Sequence, residues 1–170
     1  MVLAIDAGFR CLGWALIDDV KGEHCVIECG VIETKPNPDV SMAASDCLRA
    51  TLQGEQLHTL LMRVDLEHGG LPLVAIELPH GGAKSARASR TMGIATGVIG
   101  AVCGATGADA FYVTPSQGKL AATRNRAASK QEVIDGVQRQ VTGYTPGSYK
   151  KTHREAIADA IAAYLALTLL

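Results

Sequence analysis

The sequence predicts an α/β protein that contains a mixed β-sheet with helices on both of its faces. Three observations support this class: short apolar runs open the chain, later apolar runs alternate with helical periodicity, and capping motifs precede the last helices. The chain has 170 residues, of which 48% are hydrophobic, and this suits one domain with a substantial core. We therefore expect a single domain over residues 1–170.

The first third of the chain predicts an antiparallel start to the sheet. Apolar residues form three runs of strand character, at residues 2–5, 12–17 and 24–32. The connections between these runs are short enough for hairpins. Leucine and alanine then recur at helical spacing from Met42 to about Val64, which predicts a long helix.

The rest of the chain alternates between strands and helices. We expect a strand at 73–76, a helix over about 84–104 and a strand at 110–113. Three capping boxes predict the starts of three further helices, at Thr114–Gln117, Ser129–Glu132 and Thr152–Glu155. Because parallel neighbours need a crossover, this order predicts three antiparallel strands followed by two parallel ones.

Charge is segregated along the chain, although the formal net charge is only −1. Residues 1–83 contain 5 basic and 12 acidic residues, whereas residues 84–154 contain 11 basic and 3 acidic ones. Such segregation is typical of a basic surface beside an acidic site, as in a protein that handles a polyanion. Scatter over solvated faces is the alternative interpretation.

Composition argues against several other classes of protein. The longest apolar stretch, residues 91–106, is shorter than a membrane span and contains four glycines. The beginning of the chain lacks the basic region of a secretory signal, so we expect no such leader. Five cysteines without a C-x-x-C pair argue against zinc and predict reduced thiols in a cytoplasmic protein.

Acidic residues follow two of the predicted strands. Asp6 and Glu77 each come directly after an apolar run, and Asp159 lies in the last helix. If the first and fourth strands are parallel neighbours, both acids emerge at one edge of the sheet, where a crossing helix could add Asp159. Clustered carboxylates repel each other unless a cation such as Mg²⁺ neutralises them. The alternative is structural, since an aspartate often ends a strand before a turn.

Four segments of the chain resemble, in the same order, the motifs of the RuvC-type Holliday junction resolvases. The four segments are Ile5–Arg10 with Leu12–Trp14, Ala75–Glu77, the basic stretch from Thr114 to Val133, and Ala158–Ala162. Each motif is weakly specific by itself. Their common order over nearly the whole chain makes the resemblance specific.

The resemblance implies a ribonuclease-H-like fold, a homodimer, and Mg²⁺-dependent nicking of four-way junctions, with other branched DNA as a further substrate. Asp6, Glu77 and Asp159 would hold two metal ions per active site, Mn²⁺ could substitute, and water would be the nucleophile. Expected DNA contacts are His80, Lys84, Arg87, Lys119, Arg124 and Lys130. Arg90 and Arg126 are further basic candidates, for which a solvated helix surface is the stronger alternative. The implied location is the cytoplasm of a bacterium or phage-infected host, and no branch-migration partner is indicated.

The sequence departs from the family pattern at two positions. The fourth metal ligand of the family lies three residues before the last aspartate, where this chain has Ala156. Glu155 is about 40° around the helix from Asp159 and is the replacement we expect, although it also belongs to the third capping box, and His153 is the second candidate. The family's aromatic residue after the second acid is replaced by His80.

These departures keep a second function open, namely a catalytically impaired junction-binding protein of the same fold. An ATPase of the actin and sugar-kinase type is disfavoured because it would need a second phosphate loop. A ribonuclease H is disfavoured because it would not need the basic segment.

A glycine stripe in the second predicted helix, at Gly93, Gly97, Gly100 and Gly104, gives information about the assembly of the protein. It predicts close backbone approach either to the sheet or to a second subunit.

Overall fold

The structure is a computed structural model that describes residues 1–20, 22–79 and 85–169. The elements are β1 (Val2–Asp6), β2 (Cys11–Val20), β3 (Glu23–Glu33), α1 (Met42–His68), β4 (Leu73–Glu77), α2 (Ala86–Thr106), β5 (Ala110–Val113), α3 (Pro115–Thr123), α4 (Lys130–Gln138), β6 (Val141–Thr142), a 3₁₀ turn (Pro146–Ser148) and α5 (Lys151–Leu167). Within the described ranges, no helix is both long and apolar enough to cross a membrane.

The six strands form one sheet in the order β5-β4-β1-β2-β3-β6. Strands β1, β2 and β3 pair antiparallel, whereas β4 joins β1 in parallel and β5 joins β4 in parallel. The predicted mixed sheet is therefore confirmed. The sequence did not predict β6, because its two residues are too few to show alternation, and this strand forms by pairing with β3.

Two cores cover the two faces of the sheet, so the predicted placement of helices on both faces is confirmed. On one face, Leu57 and Leu61 of α1 pack with Leu3 and Ile5 of β1. On the other face, α3, α4 and α5 pack around a core that includes Ala4 of the same strand. Because successive side chains of a strand point to opposite faces, β1 is buried on both sides and has a continuous apolar sequence.

Helix α5 lies unusually close to the sheet where it crosses β2. A Cβ atom added at Gly13 would lie 2.3 Å from both the carbonyl carbon and the carbonyl oxygen of Ala156. The helix is rich in alanine, and Ala158, Ala160 and Ala162 are fully buried or nearly so. Small side chains on both elements thus permit backbone contact, which sets the height of α5 above the sheet.

The third predicted capping box is wrong, whereas the first two are confirmed. Thr114 with Gln117, and Ser129 with Glu132, make both reciprocal hydrogen bonds of the box. Helix α5 instead has Lys150 at its N-cap, with no side-chain capping bond. The 3₁₀ turn leads the chain into the helix early, and the Lys150 carbonyl accepts the first helical hydrogen bonds, so Thr152 already lies inside the first turn.

The glycines of α2 do not pack against the sheet, so that interpretation of the stripe is wrong. Among residues 1–20, 22–79 and 85–169, a Cβ atom added at Gly93, Gly97, Gly100 or Gly104 would meet nothing within 4 Å. The opposite side of α2, with Ala95, Ile99 and Cys103, supplies the buried contacts. The side chains of α2 that pack in the core lie on one face of the helix, and the four glycines leave a strip without side chains on the opposite face.

We predict that Gly13→Ala destabilises the protein by about 3 kcal/mol, because the added methyl would overlap the backbone of α5. Gly54→Ala in α1 is the control. There the new methyl makes only an ordinary contact, 3.5 Å from Val98 Cγ1, and alanine favours the helix by up to about 1 kcal/mol. Urea unfolding of both variants measures the difference. Equal stabilities would contradict the close packing of α5 on β2.

Candidate active site

The register of β1 and β4 brings two acidic residues side by side. Asp6 pairs with Glu77 in the parallel ladder, and each is the last residue of its strand. The Ala7 N–H, directly after Asp6, donates a 3.4 Å hydrogen bond to the Glu77 carbonyl. The carboxyl ends of two buried strands thus present both side chains at one edge of the sheet, where ligands of open α/β sheets bind.

Helix α5 adds the third acid at the same edge. Gly13, against which Ala156 packs, is the antiparallel partner of Asp6. Asp159 follows Ala156 by about one helical turn, which places it over the ends of the strands. Within the described part of the chain, Asp6, Glu77 and Asp159 each offer a carboxylate oxygen, and these oxygens lie within 4.8 Å of one another.

Burial makes this acidic cluster electrostatically costly. The side chains of Glu77 and Asp159 belong to residues only 9% and 7% exposed. Burial, reinforced by repulsion from Asp159, raises the pKa of Asp6 to about 7. Burial and the charges of Asp159 and Asp6 raise the pKa of Glu77 to about 8. The pKa of Asp159 is also raised by burial, although Lys130 opposes the shift. Three adjacent negative charges therefore need a positive partner.

Lys130 supplies one positive charge to the cluster. It is the first residue of α4, where the Ser129 capping box fixes the helix start, and its Nζ donates to Asp159 Oδ2. Burial lowers the pKa of Lys130, but the carboxylates of Asp159, Asp6 and Glu77 outweigh burial and raise it. The ammonium therefore stays protonated beside the three carboxylates.

Helix α3 closes the cluster from the side of Glu77. A Cβ atom at Gly118 would lie only 3.1 Å from Glu77 Oε2, so this position leaves room for the carboxylate. The next residue, Lys119, lowers the pKa of both Glu77 and Asp159 through its charge. The structure thus brings two lysines from the basic segment to the three acids.

The two candidates for a fourth ligand occupy different surroundings. His153 Nε2 lies 3.6 Å from Glu33 Oε1, at the end of β3, and the structure does not bring this imidazole to the cluster. Glu155 is near enough for its charge to raise the pKa of Asp159, yet its carboxylate lies outside the group of three oxygens.

The remaining predicted basic contacts to DNA lie on other elements of the structure. Arg87 is exposed in the first turn of α2, and Arg124 is exposed at the end of α3, where it adopts a left-handed conformation with φ of 61°. Arg126 is exposed in the following turn. Arg90 differs, because its guanidinium pairs with Asp46 of α1. His80 and Lys84 lie outside the described residues.

Sequence reasoning missed a set of polar residues behind Asp6. Asp46, Arg49 and Gln53 of α1 are buried, and Gln53 hydrogen-bonds the loop that follows β1. Their positions fall on the same helical face as Leu57 and Leu61. These residues could have been identified from the sequence, because polar residues on an otherwise apolar face of a helix indicate buried hydrogen bonds.

Known proteins with similar sequences are RuvC proteins. The crossover junction endodeoxyribonuclease RuvC of Nitratidesulfovibrio vulgaris strain Hildenborough is 29% identical over 160 residues, which cover 94% of this chain and 87% of that protein. RuvC of Prochlorococcus marinus strain MIT 9303 is 29% identical over 142 residues, 82% of each chain. No family model matches the chain.

The fold is similar to that of Thermus thermophilus RuvC. The structure of that protein in complex with a Holliday junction substrate superposes with a TM-score of 0.75, at 20% identity, over 97% of this chain and 90% of the other. The ribonuclease-H-like arrangement expected from the resemblance is thereby confirmed. In sequence over nearly its whole length, and in fold, the chain is a homologue of the RuvC crossover junction endodeoxyribonucleases.

Proposed function

We propose that this protein is a structure-specific endonuclease that resolves four-way DNA junctions by hydrolysing phosphodiester bonds. The observation that carries the proposal is the buried cluster of Asp6, Glu77 and Asp159 beside two lysines, in a homologue of RuvC. Other branched DNA is a further candidate substrate, because nothing in the cluster itself requires four arms.

The donor set fits divalent magnesium. All three groups are carboxylates, the hard oxygen ligands that Mg²⁺ prefers, and their oxygens are close enough to share an ion. Burial and the charge of Asp159 raise the pKa values of Asp6 and Glu77 although Lys130 lowers both, which supports a further cation at the cluster. When bound, two Mg²⁺ ions would activate a water molecule and stabilise the leaving oxygen, and Mn²⁺ would substitute.

The lysines are placed to hold the substrate. Lys130 and Lys119 lie at the rim of the cluster on α4 and α3, whose starting points are fixed by capping boxes. A phosphodiester bound at the acids would lie within reach of both ammonium groups. Arg87 and Arg124, which are exposed, are further proposed DNA contacts, as are Lys84 and His80 outside the described residues. Phosphate contacts of this kind position the duplex without reading sequence.

Glu155 is the fourth ligand that we propose. Since α5 begins at Lys151, Glu155 is not held in the predicted capping box and its side chain is available. It precedes Asp159 by four residues, which places both on one side of the helix. The influence of Glu155 on the pKa of Asp159 supports this proximity.

We further propose that the protein acts as a homodimer in the cytoplasm. The outer face of α2 is lined by glycines at which an added Cβ atom would meet no described residue within 4 Å. Glycine in a helix costs up to about 1 kcal/mol relative to alanine, so a row of four, three of them exposed, supports close approach of a second subunit. A two-fold dimer would match the approximate symmetry of a four-way junction.

Glu77→Gln should reduce cleavage of an immobile four-way junction by roughly 100-fold or more, because it removes a metal ligand. Junction binding should persist. A gel assay with labelled junction, matched duplex and RNA–DNA hybrid, with and without Mg²⁺, measures both properties. Glu67→Gln, at an exposed position paired with Arg63, is the control.

Paired nicks that need Mg²⁺ and disappear in Glu77→Gln would support the proposal. Tight junction binding by the wild type, without cleavage in Mg²⁺ or Mn²⁺, would contradict it and favour the catalytically impaired junction-binding protein.

Without divalent cations, the wild type should lose stability relative to Asp6→Asn as pH rises from 5 to 8. The folded-state pKa values of Asp6 and Glu77, about 7 and 8, lie above the ordinary values of 3.8 and 4.5. The folded state therefore holds more protons in this window, and stability falls as they are released. At pH 8 we expect Asp6→Asn to be more stable by about 1–2 kcal/mol.

Urea unfolding in chelator at pH 5 and pH 8 measures this gap, and saturating Mg²⁺ should close it at pH 8. Parallel pH profiles of the two proteins would contradict the account of the cluster.

Lys130→Met should bind Mg²⁺ more tightly, by roughly 3–10-fold, and yet cleave junctions more slowly. The ammonium that contacts Asp159 competes with the metal, so its removal frees the carboxylate, but a phosphate contact is lost. Calorimetric titration with Mg²⁺ and single-turnover cleavage separate the two effects. Lys151→Met, at an exposed position, is the control. Weaker Mg²⁺ binding in Lys130→Met would contradict the competition.

A further inference from the structure

Helix α1 buries three polar side chains, two of which contact the loop that follows Asp6. Asp46, Arg49 and Gln53 belong to residues that are 3%, 7% and 0% exposed. Charged groups are rarely this buried unless they are paired, and buried amides need hydrogen-bond partners. These residues lie on the face of the sheet opposite α5, so they do not touch the acidic cluster directly.

The partners of Arg49 and Gln53 are the carbonyls of that loop. Gln53 Nε2 donates a 2.9 Å hydrogen bond to the Gly8 carbonyl. Arg49 Nη2 lies 3.5 Å from the Phe9 carbonyl, and its guanidinium carbon lies 4.2 Å from the centroid of the Phe9 ring. Arg49 Nε also donates to Thr34 Oγ1 at 3.1 Å, and that hydroxyl donates to the Phe9 carbonyl at 2.6 Å.

The loop itself has little freedom to move independently of Asp6. The Gly8 N–H donates a 2.8 Å hydrogen bond to the Asp6 carbonyl. A Cβ atom at Gly8 would lie 2.1 Å from the Cys11 carbonyl oxygen, so the turn is closely packed on the start of β2. A displacement of the Gly8 or Phe9 carbonyl would therefore also displace the backbone of Asp6.

Asp46 extends this arrangement to a second element. Its two carboxylate oxygens accept from Arg49 at 3.4 Å and from the Arg90 guanidinium of α2. Helix α2 follows the segment that leaves β4 after Glu77. One buried carboxylate thus links the loop after Asp6 to the helix that follows Glu77.

We infer that Gln53 and Arg49 are positioning residues that hold the Asp6 carboxylate in register with Glu77 and Asp159 for metal binding. The inference rests on the proposed function and names two residues outside the cluster that act through the backbone of the loop. Residues that orient metal ligands in this way strongly affect metal affinity although they contact no metal.

Gln53 offers a way to separate positioning from stability. Its Oε1 atom is buried and has no hydrogen-bond partner among the residues that the structure describes. Gln53→Met removes this unsatisfied acceptor together with the bond to Gly8, so the two effects on stability oppose each other. The variant should fold, while the Gly8 carbonyl is no longer held.

We expect Gln53→Met to weaken Mn²⁺ binding about tenfold, as measured by electron paramagnetic resonance of the full-length protein without DNA. The Mg²⁺ midpoint of junction cleavage should rise by a similar factor, and junction binding in Ca²⁺ should be unchanged. Arg49→Lys should shift the Mn²⁺ affinity in the same direction, because lysine keeps a charge beside Asp46 but cannot bond both Phe9 and Thr34.

Val64→Ala is the matched control. Val64 is fully buried in the same helix, about 16 Å beyond Gln53 along its axis, and its truncation should destabilise the protein without shifting the Mn²⁺ affinity. An unchanged Mn²⁺ affinity in Gln53→Met, or an equal shift in Val64→Ala, would overturn the inference. A wild type that binds Mn²⁺ but cuts no junction would contradict the proposed function alone, and one that binds no Mn²⁺ would overturn both.

Discussion

The close packing of α5 on β2 is the constraint on which the rest of the structure depends. Gly13 and Ala156 leave no side chain between strand and helix, so Asp159 comes down to the level of the strand ends. There it meets Asp6 and Glu77, which a parallel register has already placed together. Three buried carboxylates with oxygens within 4.8 Å of one another oppose folding at neutral pH, and under the proposed function bound cations would neutralise this repulsion.

The surroundings of the cluster follow from this repulsion. Helix α4 begins where Lys130 reaches Asp159, and α3 carries Lys119 past Glu77. On the other face, α1 holds the loop after β1 through Gln53. The two faces of the sheet therefore contribute differently to the site. Helices α3 and α4 on one face place lysines near the acids, and α1 on the other face hydrogen-bonds the loop that follows Asp6.

Much of this arrangement could be predicted from sequence because it depends on local patterns. The apolar run that ends at Asp6 and the boxes at Thr114 and Ser129 need only neighbouring residues, and the structure shows them as expected. The box at Thr152 was wrong because the preceding turn, rather than the local pattern, sets where α5 starts. The role of Gln53 could not be predicted, since its partner lies 45 residues away.

The measurement that tests the central claim most directly is anomalous diffraction from crystals of the protein grown with MnCl₂. We predict one or two manganese peaks bonded to oxygens of Asp6, Glu77 and Asp159, at about 2.1–2.2 Å, with Lys130 moved away from Asp159. The position of Glu155 in that map would decide whether it is the fourth ligand. A map without manganese at the three acids, and with Lys130 still on Asp159, would contradict the account.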